Sequence, residues 1–193
     1  MKLLRILLMA LLVVQLSGCA VALVGGAAAT GVIVSQDRRT AGTMLNDQRI
    51  EVRILDYIAR DKAMLEHSRV KVDSYNGIVL LTGEITEAWM QERILTFAKA
   101  EAHVREVRDE LRIGLLSEVA ERRADIALNS RVRSQLFSDR EVKSGAIKVV
   151  TDMGTVYLMG MVTRQEADAA VEATRSVPGV QRIVRIFEYV RAD

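Results

Sequence analysis

The chain has 193 residues, half of them hydrophobic, with 27 Lys and Arg against 25 Asp and Glu, two His and a single Cys. One cysteine excludes an internal disulfide framework and a thiolate metal cluster, and the near balance of charge lacks the dense basic stripe of a nucleic-acid partner. The histidines, His67 and His103, stand beside no nucleophile motif and are expected at a solvated helix end and a turn rather than in a catalytic or metal site.

The opening MKLLRILLMALLVVQLSGCA sets Lys2 and Arg5 before an apolar run from Ile6 to Val14, then Leu16, Ser17 and Gly18 directly before Cys19. This is the pattern of a secretory signal peptide with a lipobox, and its run is too short to span a bilayer. Cleavage after residue 18 leaves Cys19 as a lipidated N-terminus; at about 0.8 kcal/mol per buried methylene, several acyl chains make attachment effectively permanent. No cofactor is expected beyond this covalent lipid on Cys19. Loss of Lys2 and Arg5 leaves 25 basic residues facing 25 acidic ones. Ala20, rather than Asp, follows Cys19, which by similarity to enterobacterial lipoprotein sorting implies the outer membrane. Residues 20–34, AVALVGGAAATGVIV, are small and apolar, but Gly25, Gly26 and Gly31 weaken a spanning helix, so residues 19–45 are expected to be the lipidated N-terminus and a flexible tether. The glycine pair sits in no strand-to-helix context and makes no phosphate loop.

Ile50, Ile54 and Ile58 then recur at a helical period. In VKVDSYNGIVLLTGEIT, residues 70–86, Val70, Val72, Val79 and Leu81 alternate around Asn76-Gly77, which suits a two-residue hairpin turn with Tyr75 opposite Ile78. A helix, EAWMQERILTFAKA, and a strand, VREVRDELRI, follow; in the latter, Asp109 and Glu110 are expected to be solvated charges. After the connector LLSEVAE the order returns: a stripe of Leu128, Val132 and Leu136, the hairpin IKVVTDMGTVYLMGMVT at 147–163, a helix RQEADAAVEATRS, a turn at Pro178-Gly179 and the strand VQRIVRIFEYV. Met153 at the first turn position of the second hairpin predicts a different turn type there. The expected fold class is α+β: two tandem αββαβ domains at 46–115 and 122–191, joined by 116–121, each a three-stranded sheet packed by two helices.

The glycine-centred hairpin V-x-V-x-x-x-x-G-x-V-x-L-x-G, the closing runs (Val104 and Val107; Val180, Ile183 and Val184), and the strings VRSQL at 132–136 and LMGMVT at 158–163 resemble a BON domain, twice. A lipobox ahead of two such domains resembles the paired-BON lipoproteins of the outer membrane. That resemblance implies a periplasm-facing, non-enzymatic module that binds anionic phospholipid and supports envelope integrity.

Where the copies differ, the second helical stripe carries more than a core needs. Ile126 and Phe137 project about 130° from the Leu128, Val132 and Leu136 centre, with Arg133 between them and Arg131 further round, at about 100° per residue. The aligned positions of the first copy are Gln48, Ala59 and Leu55. The candidate phospholipid-binding residues are therefore Ile126, Leu128, Arg131, Val132, Arg133 and Phe137, an apolar ridge for the headgroup layer with a cation for phosphate; Phe137 folded back as core, or a ridge packed on the first domain, is the alternative. A second surface is the opposite face of each hairpin: Tyr75, Ile78 and Leu80, and Val150, Tyr157, Met159 and Met161, which are too apolar for solvent and either bury each other or meet a partner. Trp89 is expected to be a packing anchor. Two other functions stay open: an adaptor for an envelope-assembly or cell-wall factor working through those sheet faces, and a periplasmic holdase. The sequence leaves the oligomeric state open.

Overall fold

The computed structural model describes residues 37–191, so the signal peptide expected at 1–18, Cys19 and most of the tether lie outside the described residues. Helix α1 (Ala41–Arg60) starts inside the stretch expected as tether because Thr40 caps it, the Thr40 hydroxyl accepting from Thr43 N at 3.1 Å. Its stripe of Ile50, Ile54 and Ile58 is buried. A short helix α2 (Lys62–Glu66), capped by Asp61, turns the chain into β1 (Ser68–Tyr75). β1 pairs antiparallel with β2 (Ile78–Ile85), Tyr75 opposite Ile78 as the alternation required. Helix α3 (Ala88–Ala100) then carries the chain over to β3 (Glu106–Ile113), parallel to β2, in a sheet of order β1-β2-β3.

The second half repeats this plan. It runs through α4 (Val119–Ser138), a 3-10 turn at Ser144–Ala146, β4 (Ile147–Asp152), β5 (Thr155–Val162), α5 (Arg164–Arg175) and β6 (Arg182–Tyr189), with sheet order β4-β5-β6. Helix α4 begins within the expected connector, where the Glu121 carboxylate accepts from Glu118 N at 2.7 Å. Each repeat has its own core between helices and sheet: Ile54, Val79, Leu81 and Ile94 in the first, Val132, Leu136, Leu158 and Val171 in the second.

The two hairpin turns are of one kind, contrary to the expectation from Met153. Both central residues have positive φ in each turn, 52° and 76° at Asn76-Gly77 and 45° and 72° at Met153-Gly154. The reason is a carboxylate from the preceding helix. Asp47 accepts from Asn76 N and Gly77 N, each at 2.8 Å, and Asp125 accepts from Met153 N at 2.9 Å and Gly154 N at 3.1 Å. These bonds offset the cost, about 1 kcal/mol, of a left-handed methionine.

The outer faces of the two sheets bury each other. Tyr75, Ile78 and Leu80 pack with Val150, Tyr157, Met159 and Ile186 in a third apolar cluster, which settles the choice left open between mutual burial and a partner. The adaptor reading through those faces is thereby corrected, since the surface is already covered. Charges ring the cluster: Lys71 to Asp152 at 3.0 Å, Lys148 to Glu51 at 2.6 Å and Asp73 at 2.9 Å, and Arg105 to Glu188 at 2.7 Å. Arg112 joins Glu84 of its own repeat to Asp152 of the other. Glu110, expected to be a solvated charge, belongs to this rim, where it accepts from Tyr157 and pairs with Arg182 at 3.1 Å.

Candidate functional site

Helix α4 lies on the outside of the second sheet, with Leu128, Val132 and Leu136 turned inward. The structure therefore corrects two members of the candidate set: Leu128 and Val132 are 3% and 0% exposed and serve the core, because the inward stripe and the ridge occupy different sides of one helix. Phe137 and Ile126 stand out at 71% and 67% exposed, so Phe137 does not fold back. Arg133 is exposed between them and makes no ion pair among the described residues. Arg131 is tied elsewhere, its guanidinium donating to the Pro178 carbonyl at 3.3 Å, which aims it at the turn before β6.

The line on α4 is longer than the ridge read from sequence. Arg122, Ile126, Ser130, Arg133 and Phe137 follow at spacings of three and four residues, alternating cation, polar and apolar groups along one side. The same spacing would have found Arg122 by extending the ridge one turn toward the N-terminus. Two clefts flank this line. One, of about 420 Å³, is lined by Lys71, Arg122, Ile126 and Ser130 among others; the second, of about 310 Å³, lies between Arg133, Ser134 and Phe137 on α4 and Ser144, Ile147 and Val149 below.

The described chain enters beside the second cleft. Residues 37–39 cross the seam between the repeats next to Gly145 and Ile147, which also line that cleft. Arg38 binds Glu166 of α5 with both nitrogens at 2.9 Å and donates to the Met161 carbonyl at 2.7 Å. The Arg38 guanidinium and other hydrogen bonds hold the Glu166 carboxyl down at about 2 against the cost of burial. Arg39 lies over the Tyr75 ring at 3.8 Å and reaches Asp47 at 2.8 Å. Burial, with the Asp37 charge nearby, pushes the Tyr75 hydroxyl up to about 12, so it stays a donor, to Asp37 and to the Ala146 carbonyl. The contacts of Arg38 and of Tyr75 across the seam were not legible in the sequence, because they join residues more than thirty positions apart that carry no shared periodicity.

The remaining sequence candidates are peripheral. His67 ends α2 and His103 sits in a turn at φ 69°, both exposed. Trp89 is 39% exposed, with the Arg93 guanidinium 5.6 Å from its ring centre, rather than a buried anchor. Among the described residues no group of His, Cys, Asp and Glu is placed to hold a metal, and no helix is long and apolar enough to cross a membrane.

The BON domain profile matches residues 46–114 and again 124–191. The chain belongs to the BON family. It is 33% identical over 190 residues to the outer membrane lipoprotein DolP of Haemophilus influenzae, covering 98% of this chain and 97% of that one. It is also 33% identical over 155 residues to the 21 kDa hemolysin of Actinobacillus pleuropneumoniae, 80% of each chain. Among solved structures, the C-terminal domain of CdsD, a structural protein of the type III secretion system of Chlamydia trachomatis, is similar over 72% of this chain and 96% of that one at 13% identity and a TM-score of 0.27, which carries no argument. This BON protein is an outer-membrane lipoprotein, lipid-anchored, with its two domains on one chain.

Proposed function

We propose that this lipoprotein binds anionic phospholipid through α4 of its second BON domain and thereby supports the integrity of the outer membrane. The observation that carries the reading is the line Ile126, Ser130, Arg133 and Phe137, exposed along one side of α4, with Arg122 half-buried at its N-terminal end. A membrane surface rewards such a line twice: apolar side chains enter the headgroup boundary, and cations meet phosphate, at about 1 kcal/mol per basic residue near an anionic surface. The matching line on α1 reads Met44, Gln48, Val52, Leu55 and Ala59, with no cation, so the two repeats are not equivalent surfaces. The point at which the tether joins the body, beside the Phe137 cleft, agrees with a ridge that faces the membrane holding the anchor.

Flotation with anionic vesicles of the chain from residue 19, carrying Cys19→Ala, tests the reading. Phe137→Ala is expected to weaken binding several-fold without lowering the melting temperature, and Arg133→Glu to weaken it in a manner that added salt diminishes. Parent-like flotation of both variants would reject the site. The lipid anchor itself is assigned to Cys19: in the full chain, Cys19→Ala is expected to abolish incorporation of a fatty-acid analogue, and unchanged incorporation would overturn that assignment.

One observation favours a second reading, a protein adaptor. Leu45, Val52 and Leu55 of α1 are 54%, 59% and 42% exposed along the outer side of the first repeat, an apolar face with no charge requirement. Loss of envelope function in a Val52→Asp variant that still floats with vesicles would favour it.

A further inference from the structure

We infer that the open edge of β6, with the groove between it and α5, is a docking site for an extended acidic segment of a protein partner, which adds to the second sheet as a further strand. The site stands apart from the lipid-binding line on α4.

The two sheets end in the edge strands β1, β3, β4 and β6. Side chains close three of them. On β1 the Glu51 carboxylate accepts from Ser74 N at 2.7 Å, and on β3 Asp109, held by Gln91 at 2.7 Å, accepts from Leu111 N at 3.1 Å. On β4 Asn129 donates to the Val149 carbonyl at 3.0 Å and Lys71 to that of Thr151 at 3.1 Å. Such bonds occupy the groups through which another chain would pair. β6 differs: among the described residues no side chain is bonded to its backbone. Val190 N donates to Val162 O at 3.0 Å, which in a parallel pair sets the even-numbered residues of β6 toward β5 and turns the N–H and C=O of Ile183, Arg185, Phe187 and Tyr189 outward. Charge guards this edge less as well, with three charged side chains in eight residues against five in eight on β3.

A cleft of about 310 Å³ lies beside that edge, between the C-terminal half of α5 and the start of β6. Arg175, Arg182 and Arg185 line it without an acid, and Val171, Val180 and Ile183 make its apolar part. Their carboxylate partners, Glu172, Glu110 and Asp168, stand outside the lining. The pairs of Arg175 and Arg185 are exposed on both sides, and exposed pairs contribute little, so an incoming carboxylate exchanges for them at small cost. Guanidinium groups suit carboxylates by their planar fork. An extended chain sends successive side chains to opposite sides, so its apolar groups meet the valines while its acids reach the arginines and its backbone pairs with β6. The α4 line stands over the opposite edge, with Val149 of β4 in both clefts that flank it, so one chain can engage lipid and partner together.

A capped heptapeptide of alternating Glu and Val is the probe, added to the chain from residue 19 carrying Cys19→Ala and followed by fluorescence anisotropy and amide exchange. Saturable binding is expected, with slowed exchange at Ile183, Arg185 and Phe187, and none for the counterpart of alternating Lys and Val. Arg175→Ala with Arg185→Ala is expected to weaken binding about tenfold at a melting temperature near the parent value. Asp168→Asn with Glu172→Gln releases the same arginines and is expected to tighten binding several-fold, an effect that damage to the fold does not imitate. Because a strand shows one edge to β6, N-methylation of the peptide at its Glu residues or at its Val residues is expected to abolish binding in one case and spare it in the other. Absence of saturable binding, or parent-like binding of both methylated peptides, overturns the site. Flotation with anionic vesicles is expected to be unchanged in the arginine double variant; lost flotation there would assign the groove to lipid and overturn the protein partner. Parent-like peptide binding by Phe137→Ala is expected, which keeps this test distinct from that of α4. A dimer in sedimentation that the arginine double variant dissociates would assign the edge to a second copy of this chain and likewise overturn the proposal.

Discussion

Glu166 shows how one residue links the chain's entry into the fold to the second domain. It caps α5 by accepting from Thr163 N at 2.8 Å while receiving Arg38 and lying 3.3 Å from the Lys143 ammonium. Its carboxyl titrates at about 2 in the folded protein, below its ordinary value of 4.5, so the ionised form stabilises the fold fully above 4.5 and loses that contribution as pH falls through about 2. The contribution is at most about 3 kcal/mol. Glu166→Gln is expected to be less stable than the parent in urea at neutral pH, with the difference closing between pH 4.5 and 2. A difference independent of pH would show that the charge is not what matters.

At the scale of the element, the hairpins explain why the same pattern recurs without chemistry in it. Their turns are held from below by an aspartate one turn ahead of each helical stripe, Asp47 before Ile50 and Asp125 before Leu128. Asp47→Ala leaves two buried turn amides and the Ser74 hydroxyl, bonded to Asp47 at 2.7 Å, without an acceptor. We expect a loss of about 2–3 kcal/mol for Asp47→Ala and somewhat less for Asp125→Ala, which accepts from the two turn amides and meets the Lys71 ammonium only at 3.9 Å, as read from urea midpoints. Equal and negligible losses would mean that solvent satisfies the turns. These hairpins are scaffold, and the helices they support are where the repeats diverge: α4 exposes Ile126, Arg133 and Phe137, α1 exposes Leu45, Val52 and Leu55.

At the scale of the whole molecule, the sheet-to-sheet cluster makes the pair of BON domains one body. Leu80 is fully buried in that cluster, contributed by β2 and surrounded by side chains of the other repeat. Leu80→Ala is expected to cost about 2–5 kcal/mol and to lower a single melting transition shared by both repeats. Two separated transitions, with only the first repeat affected, would mean that the repeats unfold independently. Either repeat expressed alone exposes Tyr75, Ile78 and Leu80 or Val150, Tyr157 and Met159, and is expected to associate or to melt below the parent.

The sequence by itself determined the order of elements, the hairpin register and both inward helical stripes, because periodicity and turn chemistry act between residues close along the chain: Tyr75 opposite Ile78 and the burial of Ile50, Ile54 and Ile58 follow from local spacing. It also carried the BON pattern and set Ile126 and Phe137 off the core stripe, leaving their exposure undecided. Only the tertiary structure decided that Ile126 and Phe137 stay exposed, that the two apolar sheet faces cover each other, and that Arg38 and Glu166 bind the chain's entrance to the seam. Those contacts join distant positions whose pairing depends on how two finished surfaces fit, and apolar alternation specifies that a face must be covered without specifying by what.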